Sequence, residues 1–294
     1  MKRTFILAWA ALMLTGNCLV LETATAAQKK KGQTIQQPTT HVLQDSARES
    51  APLTYKTKLG SGKGAQVAIT MTSRDVQIVG HNGDEVIIES RDYVAPPKRA
   101  EGLKPLYNQV EDNTKLGLSV TKTNNTLSIK NASRTSANYV IRVPKNASVV
   151  YKETTWQGGN LSIADLTGEI ELKMNNSDVA LNNVSGPVVA NNTNGSIQIV
   201  FSSLNQNKPS AISTVNGEID VTLPASNKAN LKLKSMQGEI YTDFNMEVKR
   251  EKEKDEEGLE LIGGGGNIDG KINGGGVEIS VQSISSDIFI RKKK

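Results

Sequence analysis

The chain has 294 residues, of which 37% are hydrophobic and only 4% aromatic, and its formal net charge is +5. A core with so few rings must be built from Ile, Val and Leu, which suits thin stacked layers better than a globule anchored on Trp and Phe. The charge is too mild for a dedicated nucleic-acid binder, and one cysteine excludes a disulfide framework.

Residues 1–27 read as a secretory signal. Lys2 and Arg3 form a basic start, Phe5 to Leu14 an apolar stretch, and Ala24, Thr25, Ala26 and Ala27 a small-residue cleavage site. Thr15, Gly16 and Asn17 interrupt the apolar run, which leaves it short for a membrane span. Cys18 lies within the signal, and its lipidation is a second reading. Asn17 weakens that reading, because lipoprotein signals carry a small residue there. The expectation is an exported chain, in the periplasm or on the outer cell surface. It would touch a membrane only through the signal or a lipidated Cys18. Cleavage would leave a mature chain without thiol chemistry.

Residues 28–63 are polar and begin with Lys29, Lys30 and Lys31; they read as a flexible lead. Strands are expected from about Gln66, where Val67, Ile69 and Met71, then Val76 and Ile78, alternate with polar or small residues. A turn at Gly80-His81-Asn82-Gly83-Asp84 leads into Glu85-Val86-Ile87-Ile88-Glu89. Residues 95–113, with Pro96, Pro97 and Pro105, interrupt the strands. This is expected to be a loop packed by Leu103, Leu106 and Tyr107, and a candidate ligand or capping surface. Alternation resumes at Leu116, Leu118 and Val120, then at Leu127 and Ile129. It continues in Tyr139-Val140-Ile141-Arg142-Val143-Pro144, whose form recurs in Ile219-Asp220-Val221-Thr222-Leu223-Pro224. Proline has no N–H for a ladder and marks the strand end in both.

From Gly159 to Phe201 a nine-residue unit repeats, starting at Gly159, Gly168, Ser177, Gly186 and Gly195. Alternate units resemble each other most. Asp165-Leu166-Thr167-Gly168 matches Asn183-Val184-Ser185-Gly186, and Asn176-Ser177 matches Asn194-Gly195. The expected coil is therefore eighteen residues long, with two short strands and two different corners. Asn216-Gly217-Glu218-Ile219 and Gln237-Gly238-Glu239-Ile240 restate one corner at wider spacing. Residues 247–257 are a mixed-charge excursion whose charges largely cancel. Val277, Ile279 and Val281, then Ile284, Ile288 and Ile290, are expected to close the array.

The fold class that follows is all-β: a parallel β-helix or β-solenoid of short strands, occupying residues 64–294. Asn-Gly pairs between apolar runs also signal hairpins, so an antiparallel sandwich or meander is the alternative. The constant period and in-register corners favour the solenoid. Residues 139–244 and 276–294 also resemble the exported β-strand-repeat proteins called putative adhesins, a bacterial domain of unknown function. Val143-Pro144-Lys145, Gly168-Glu169-Ile170, Asn183-Val184-Ser185-Gly186, Val215-Asn216-Gly217-Glu218-Ile219 and Ser286-Asp287-Ile288-Phe289-Ile290-Arg291 carry the resemblance. Ser286 stands where glycine would be usual. The resemblance implies an envelope location and adhesion, and supplies no catalytic residues.

Direct searches for chemistry find little. Glu169, Glu218 and Glu239 each follow a corner glycine. Glu218 and Glu239 would stack as a carboxylate pair for acid–base work or cation binding, but equivalent places hold Asn160, Pro187 and Ser196, as expected of a tolerant exposed position. Asp178 and Asp269 lack the repetition of calcium-binding nonapeptides. His41 and His81 form no zinc set or nucleophile triad. Trp156 reads as an array cap, with sugar stacking as the second reading. No catalytic, metal or cofactor residue is assigned. The reading is a non-enzymatic envelope protein, an adhesin or binder of another envelope or cell-surface component, glycan or protein. The alternatives are a carbohydrate-active β-helix enzyme and a purely structural envelope protein. Function is expected on residues 95–113 and the edges flanking 247–257.

Overall fold

The protein is represented by a computed structural model that describes residues 52–60, 64–72, 75–135, 137–250 and 267–294. The expected signal with Cys18, most of the lead with His41, and residues 251–266 of the charged excursion and first glycine cluster lie outside the described residues. The strands are β1 (Leu53–Lys58), β2 (Gln66–Met71), β3 (Val76–His81), β4 (Glu85–Ser90), β5 (Leu118–Thr123), β6 (Thr126–Asn131), β7 (Tyr139–Pro144), β8 (Ser148–Glu153), β9 (Gly159–Ala164), β10 (Ile170–Lys173), β11 (Ser177–Val184), β12 (Val188–Asn194), β13 (Ile197–Phe201), β14 (Ser210–Asn216), β15 (Ile219–Pro224), β16 (Ala229–Ser235), β17 (Ile240–Thr242), β18 (Glu247–Arg250), β19 (Asn267–Ile272), β20 (Val277–Ser283) and β21 (Ile288–Lys293). The sole helical element is a 3-10 turn at Lys98–Ala100 among the described residues.

These strands form two sheets. A ten-stranded sheet has the order β1-β4-β7-β3-β9-β11-β13-β15-β21-β17, and an eleven-stranded sheet the order β18-β19-β16-β20-β14-β12-β10-β8-β2-β6-β5. Coils pass from the second sheet to the first at β2–β3, β6–β7, β8–β9, β10–β11, β12–β13, β14–β15, β16–β17 and β20–β21. Both sheets hold these coils in the same spatial order, and neighbouring coils pair in parallel. The solenoid is therefore borne out. Val179 stands opposite Ile197, and Ile170 opposite Val188, each eighteen residues on. Asn194-Gly195 and Asn216-Gly217 join strands of different sheets, so they are corners and not hairpins.

The alternation seen in the sequence is the burial pattern. Leu161 and Ile163, Ile170 and Leu172, Val179 and Leu181, and Ile197 and Ile199 point inward and merge into one continuous core. Full burial of each such side chain is worth about 1.5–3 kcal/mol. One set of corners turns on a left-handed residue, Asp165 or Asn183, with φ of 61° and 55°. Gly168 and Gly186, three residues later, serve closeness instead: a Cβ on Gly186 would lie 1.8 Å from the Gly168 carbonyl oxygen. Side-chain ladders join equivalent corners: Asn216 Nδ2 donates to Asn194 Oδ1 (2.9 Å), and Asn183 Nδ2 to Asp165 Oδ1 (2.6 Å).

Coil order in space departs from coil order in sequence at both ends. β3 lies between β7 and β9, and β2 between β6 and β8. At the other end β21 lies between β15 and β17, and β20 between β14 and β16. Residues 277–290 therefore do not close the array; they fill its penultimate layer. Core quality accounts for this. Ile288 and Ile290 of β21 are fully buried, whereas β17 offers only a half-buried Ile240 and an exposed Thr242, which suit an edge.

Antiparallel strands seal the ends: β4 and β1 beyond β7, β5 beyond β6, and β19 and β18 beyond β16. Covering the outermost coils in this way blunts the open edges of a solenoid. Two expectations are corrected here. Strands begin at Leu53 and not near Gln66, because Leu53 to Lys58 finds an antiparallel partner in β4. The charged excursion is not wholly solvated either, since its first residues form β18 against β19.

Glu153 holds one corner from inside. It is 4% exposed, its Oε2 accepts from Asn175 N (2.7 Å) and Asn176 N (3.1 Å), and its Oε1 accepts from Ser177 Oγ (2.8 Å). Replacing it strands three buried or half-buried donors. Glu153→Ala is expected to cost roughly 2–4 kcal/mol in urea unfolding, and Ser177→Ala only about 1 kcal/mol. An unchanged midpoint for Glu153→Ala would show that the corner does not depend on the carboxylate.

Candidate binding surface

The outer face of the ten-stranded sheet is built in rows, because every second residue of each strand points away from the core. The first row sits at the strand starts: Asn138, Asp75, Asn160, Asp178, Ser196, Glu218, Asp287 and Glu239. Its three aspartates have structural partners. Asp75 Oδ1 accepts from Asn160 N and Nδ2 (both 3.0 Å), Asp178 Oδ1 from Ser196 N and Oγ (both 2.8 Å), and Asp287 Oδ1 from Glu239 N (2.8 Å). They cap strand-start amides on the next coil.

Glu218 and Glu239 are not stacked on each other, contrary to the sequence expectation. Ile219 N donates to Asp287 O and Ile288 N donates to Glu239 O, so Asp287 stands between them. At the usual strand spacing the two glutamates are about 10 Å apart along the row. Chain spacing placed them in consecutive coils; the inserted β21 separates them. Glu169 belongs to the other corner and meets Lys208. Asp269 pairs across the ladder with Lys232 and Lys249 backbone positions. His81 closes its turn: Gly83 N donates to His81 Nδ1 (2.9 Å), which leaves Nε2–H to donate to Glu85 O (2.8 Å). Among the described residues no three His, Cys, Asp or Glu side chains form a metal-binding group.

A second outward row runs Glu89, Val140, Gln77, Ser162, Ala180, Gln198, Asp220, Phe289 and Tyr241, one residue per strand from β4 to β17. Eight steps of about 4.8 Å give it a length of roughly 38 Å. At one end it enters a groove of about 650 Å³ whose lining includes Val79 and Val140 together with Asp75, Asp92, Asn138, Asn160 and Arg142. Arg142 is held by Glu89 at 3.5 Å. At the other end Tyr241 and Phe289 stack, with centroids 5.3 Å apart and planes at 13°. The Arg291 guanidinium lies 4.9 Å from the Phe289 centroid and is fixed by Asp220 at 2.8 Å. Ser162 and Ala180 keep the middle of the row low. Sequence reasoning missed this row, although period two marked each member as outward. Its continuity depends on β3 and β21 being inserted out of sequence order.

Residues 95–113 do form a long loop, but Leu103, Leu106 and Tyr107 do not pack it; all three are exposed. The loop is pinned at its base. Asp112 Oδ1 accepts from Thr114 N, Thr114 Oγ1 and Lys115 N (2.9 Å each), and Asp112 Oδ2 accepts from Gly117 N (2.9 Å). Tyr93 Oη donates to Asp112 Oδ2 at 3.5 Å, and burial, with the Asp112 charge beside it, pushes the Tyr93 phenol up. Burial likewise raises the Tyr139 phenol, which donates to Leu116 O at 2.8 Å. Trp156 is not an array cap; it is 64% exposed. The corner from β8 to β9 is longer than the one from β10 to β11, and the extra residues carry the indole out of the stack.

Residues 157–291, slightly under half of the chain, match the family model Toastrack DUF4097. That span covers the array from β9 into β21, and the family has a β-solenoid-like fold. The resemblance read from the sequence is thereby borne out. Among solved structures, the chain is similar to a putative cell adhesion protein from Clostridium sporogenes, with a TM-score of 0.42 and 13% identity over 83% of this chain and 100% of that one. It is also similar to a putative adhesin from Bacteroides fragilis, with a TM-score of 0.34 and 12% identity over 83% and 97%. Another putative adhesin, from Parabacteroides distasonis, gives 0.29 and 12% over 83% and 98%. No curated protein matches the chain. No helix among the described residues is long and apolar enough to cross a membrane.

Proposed function

We propose that this chain is a non-enzymatic protein of the cell envelope, an adhesin that holds an extended glycan or protein along the outer face of its ten-stranded sheet. It is exported to the periplasm or outer cell surface. The observation that carries this reading is the outward row itself. It links a groove of mixed polar and apolar lining to a stacked aromatic pair, exposed Tyr241 on half-buried Phe289, on one sheet face. Stacked rings beside a guanidinium anchored by Asp220, with exposed Gln198 in line, offer both an apolar platform and a hydrogen-bonding edge for a linear hydroxyl-rich polymer.

The purified chain is expected to retain members of a panel of envelope glycans and surface proteins, and Tyr241→Ala to weaken that retention roughly tenfold. Failure to retain any panel member would sink the reading. Cleavage of a glycan, lost in a Glu218→Gln and Glu239→Gln double variant, would make the protein an enzyme instead. Protease shaving of whole cells tells which partners are within reach.

A further inference from the structure

The loop at residues 95–113 has a composition that the sheet face does not share. Its tip carries Leu103 at 72% exposure, Leu106 at 94% and Tyr107 at 81%, with Val94 at 70% on the approach. So much aliphatic and aromatic surface in one short segment is costly to leave in water. Around it stand exposed cations: Lys98 and Arg99 in the 3-10 turn, Lys104 between the leucines' positions, and Arg134 from the neighbouring loop, whose guanidinium lies 5.3 Å from the Tyr107 centroid. Glu101 is the one carboxylate among residues 94–108.

The base of the loop is also held in place. Asp112 gathers the chain behind it, Asn108 Nδ2 donates to the Ala132 carbonyl, and Tyr93 is buried under the base. A loop anchored at its base has less freedom to lose on docking than an unanchored one.

We propose that this loop docks the solenoid onto an anionic lipid surface, with Leu103, Leu106 and Tyr107 entering the headgroup–acyl boundary and Lys98, Arg99 and Lys104 resting on the headgroups. Charge decides the occupant. A protein groove that covered the leucines would have to supply matching carboxylates around an apolar pocket. An anionic bilayer presents a negative layer above an apolar one everywhere, and this loop carries exposed cations beside exposed leucines. The inference is independent of the proposed binding face of the ten-stranded sheet, which is a different element.

The test is co-sedimentation of the full chain with phosphatidylcholine vesicles, with and without about 30% phosphatidylglycerol. The readout is the ratio of anionic to neutral partitioning, so that any contribution from residues 1–51 is common to every variant. The parent chain is expected to favour anionic vesicles, less so at high salt. A Leu103→Asp and Leu106→Asp double variant is expected to lose about tenfold or more of that partitioning. Lys98→Glu with Arg99→Glu is expected to lose at least about fivefold per residue. These side chains are exposed, so thermal midpoints should not move. Tyr241→Ala should leave partitioning unchanged. The proposal is overturned if the parent shows no preference for anionic vesicles, or if the double leucine variant partitions as the parent does. It is equally overturned if the leucine substitutions abolish self-association of the chain without affecting vesicles, since the loop would then be an interface between copies.

Discussion

A Gly186→Ala chain is expected to lose on the order of 3 kcal/mol of stability, at the upper end of what one added methyl costs in a packed interior. The φ angle at Gly186 is outside the left-handed region, so the local backbone accepts alanine. The obstacle is the neighbouring coil. An added Cβ would sit 1.8 Å from the Gly168 carbonyl oxygen, 2.5 Å from its carbon and 2.9 Å from the Thr167 oxygen. All three are backbone atoms, so relief requires the coils to part where Ser185 N donates to Leu166 O at 3.0 Å. Gly274→Ala is the comparison. Its φ is +83° with nothing within 4 Å of a new Cβ, so it carries only the left-handed penalty of about 1–2 kcal/mol. Urea unfolding of the two variants separates the two uses of glycine in this fold. If Gly186→Ala were no worse than Gly274→Ala, close stacking of corners would not be what keeps glycine at position 186.

Ending the chain at Gly276 is expected to unravel much more than the eighteen residues removed. In a solenoid whose coils follow sequence order, losing the last coil trims the end, because each coil touches only its neighbours. Here β20 joins β14 to β16 and β21 joins β15 to β17. Removing them takes Ile279, Val281, Ile288 and Ile290 from the core, each fully buried. At about 1.5–3 kcal/mol per side chain this is roughly 6–12 kcal/mol, comparable with the whole stability of a typical domain. It also strips β16, β17, β18 and β19 of their link to the stack. Hydrogen exchange should show protection lost from residues 229–250 as well as at the new end, and the unfolding midpoint should collapse. A shortened chain that kept protection in β16 and β19 would show that the end coil reseats directly on β14 and β15. The pairing order would then be a preference and not a requirement.

Much of the architecture is legible in the amino-acid sequence. Inward aliphatics at every second position, Gly and Asn at constant spacing, and an eighteen-residue echo between corners are properties each coil carries within its own residues. They specify a strand, a corner and a second strand wherever the coil is placed. The candidate site was less legible. Phe289, Tyr241, Gln198 and Asp220 are each recognisable as outward residues, but no local signal says that they share a row. Leu103, Leu106 and Tyr107 misled in the opposite direction. Apolar residues in a proline-broken segment look like the packing of a loop on itself, and only the pinned base at Asp112 shows why they remain in solvent.

The amino-acid sequence by itself determined the repeating unit of this protein: a two-strand coil with small corners and an aliphatic interior. The reason is that these features arise from backbone sterics and alternation over a few residues. Tertiary structure alone decided the order in which the coils stack. Ile219, Ile240 and Ile288 open β15, β17 and β21 in nearly the same way, so parallel edges of this kind are interchangeable locally. What distinguishes them is how well the rest of each coil fills the core. The better-filled coil of β20 and β21 takes the inner place, and with it come the row on the outer sheet face and the separation of Glu218 from Glu239 by Asp287.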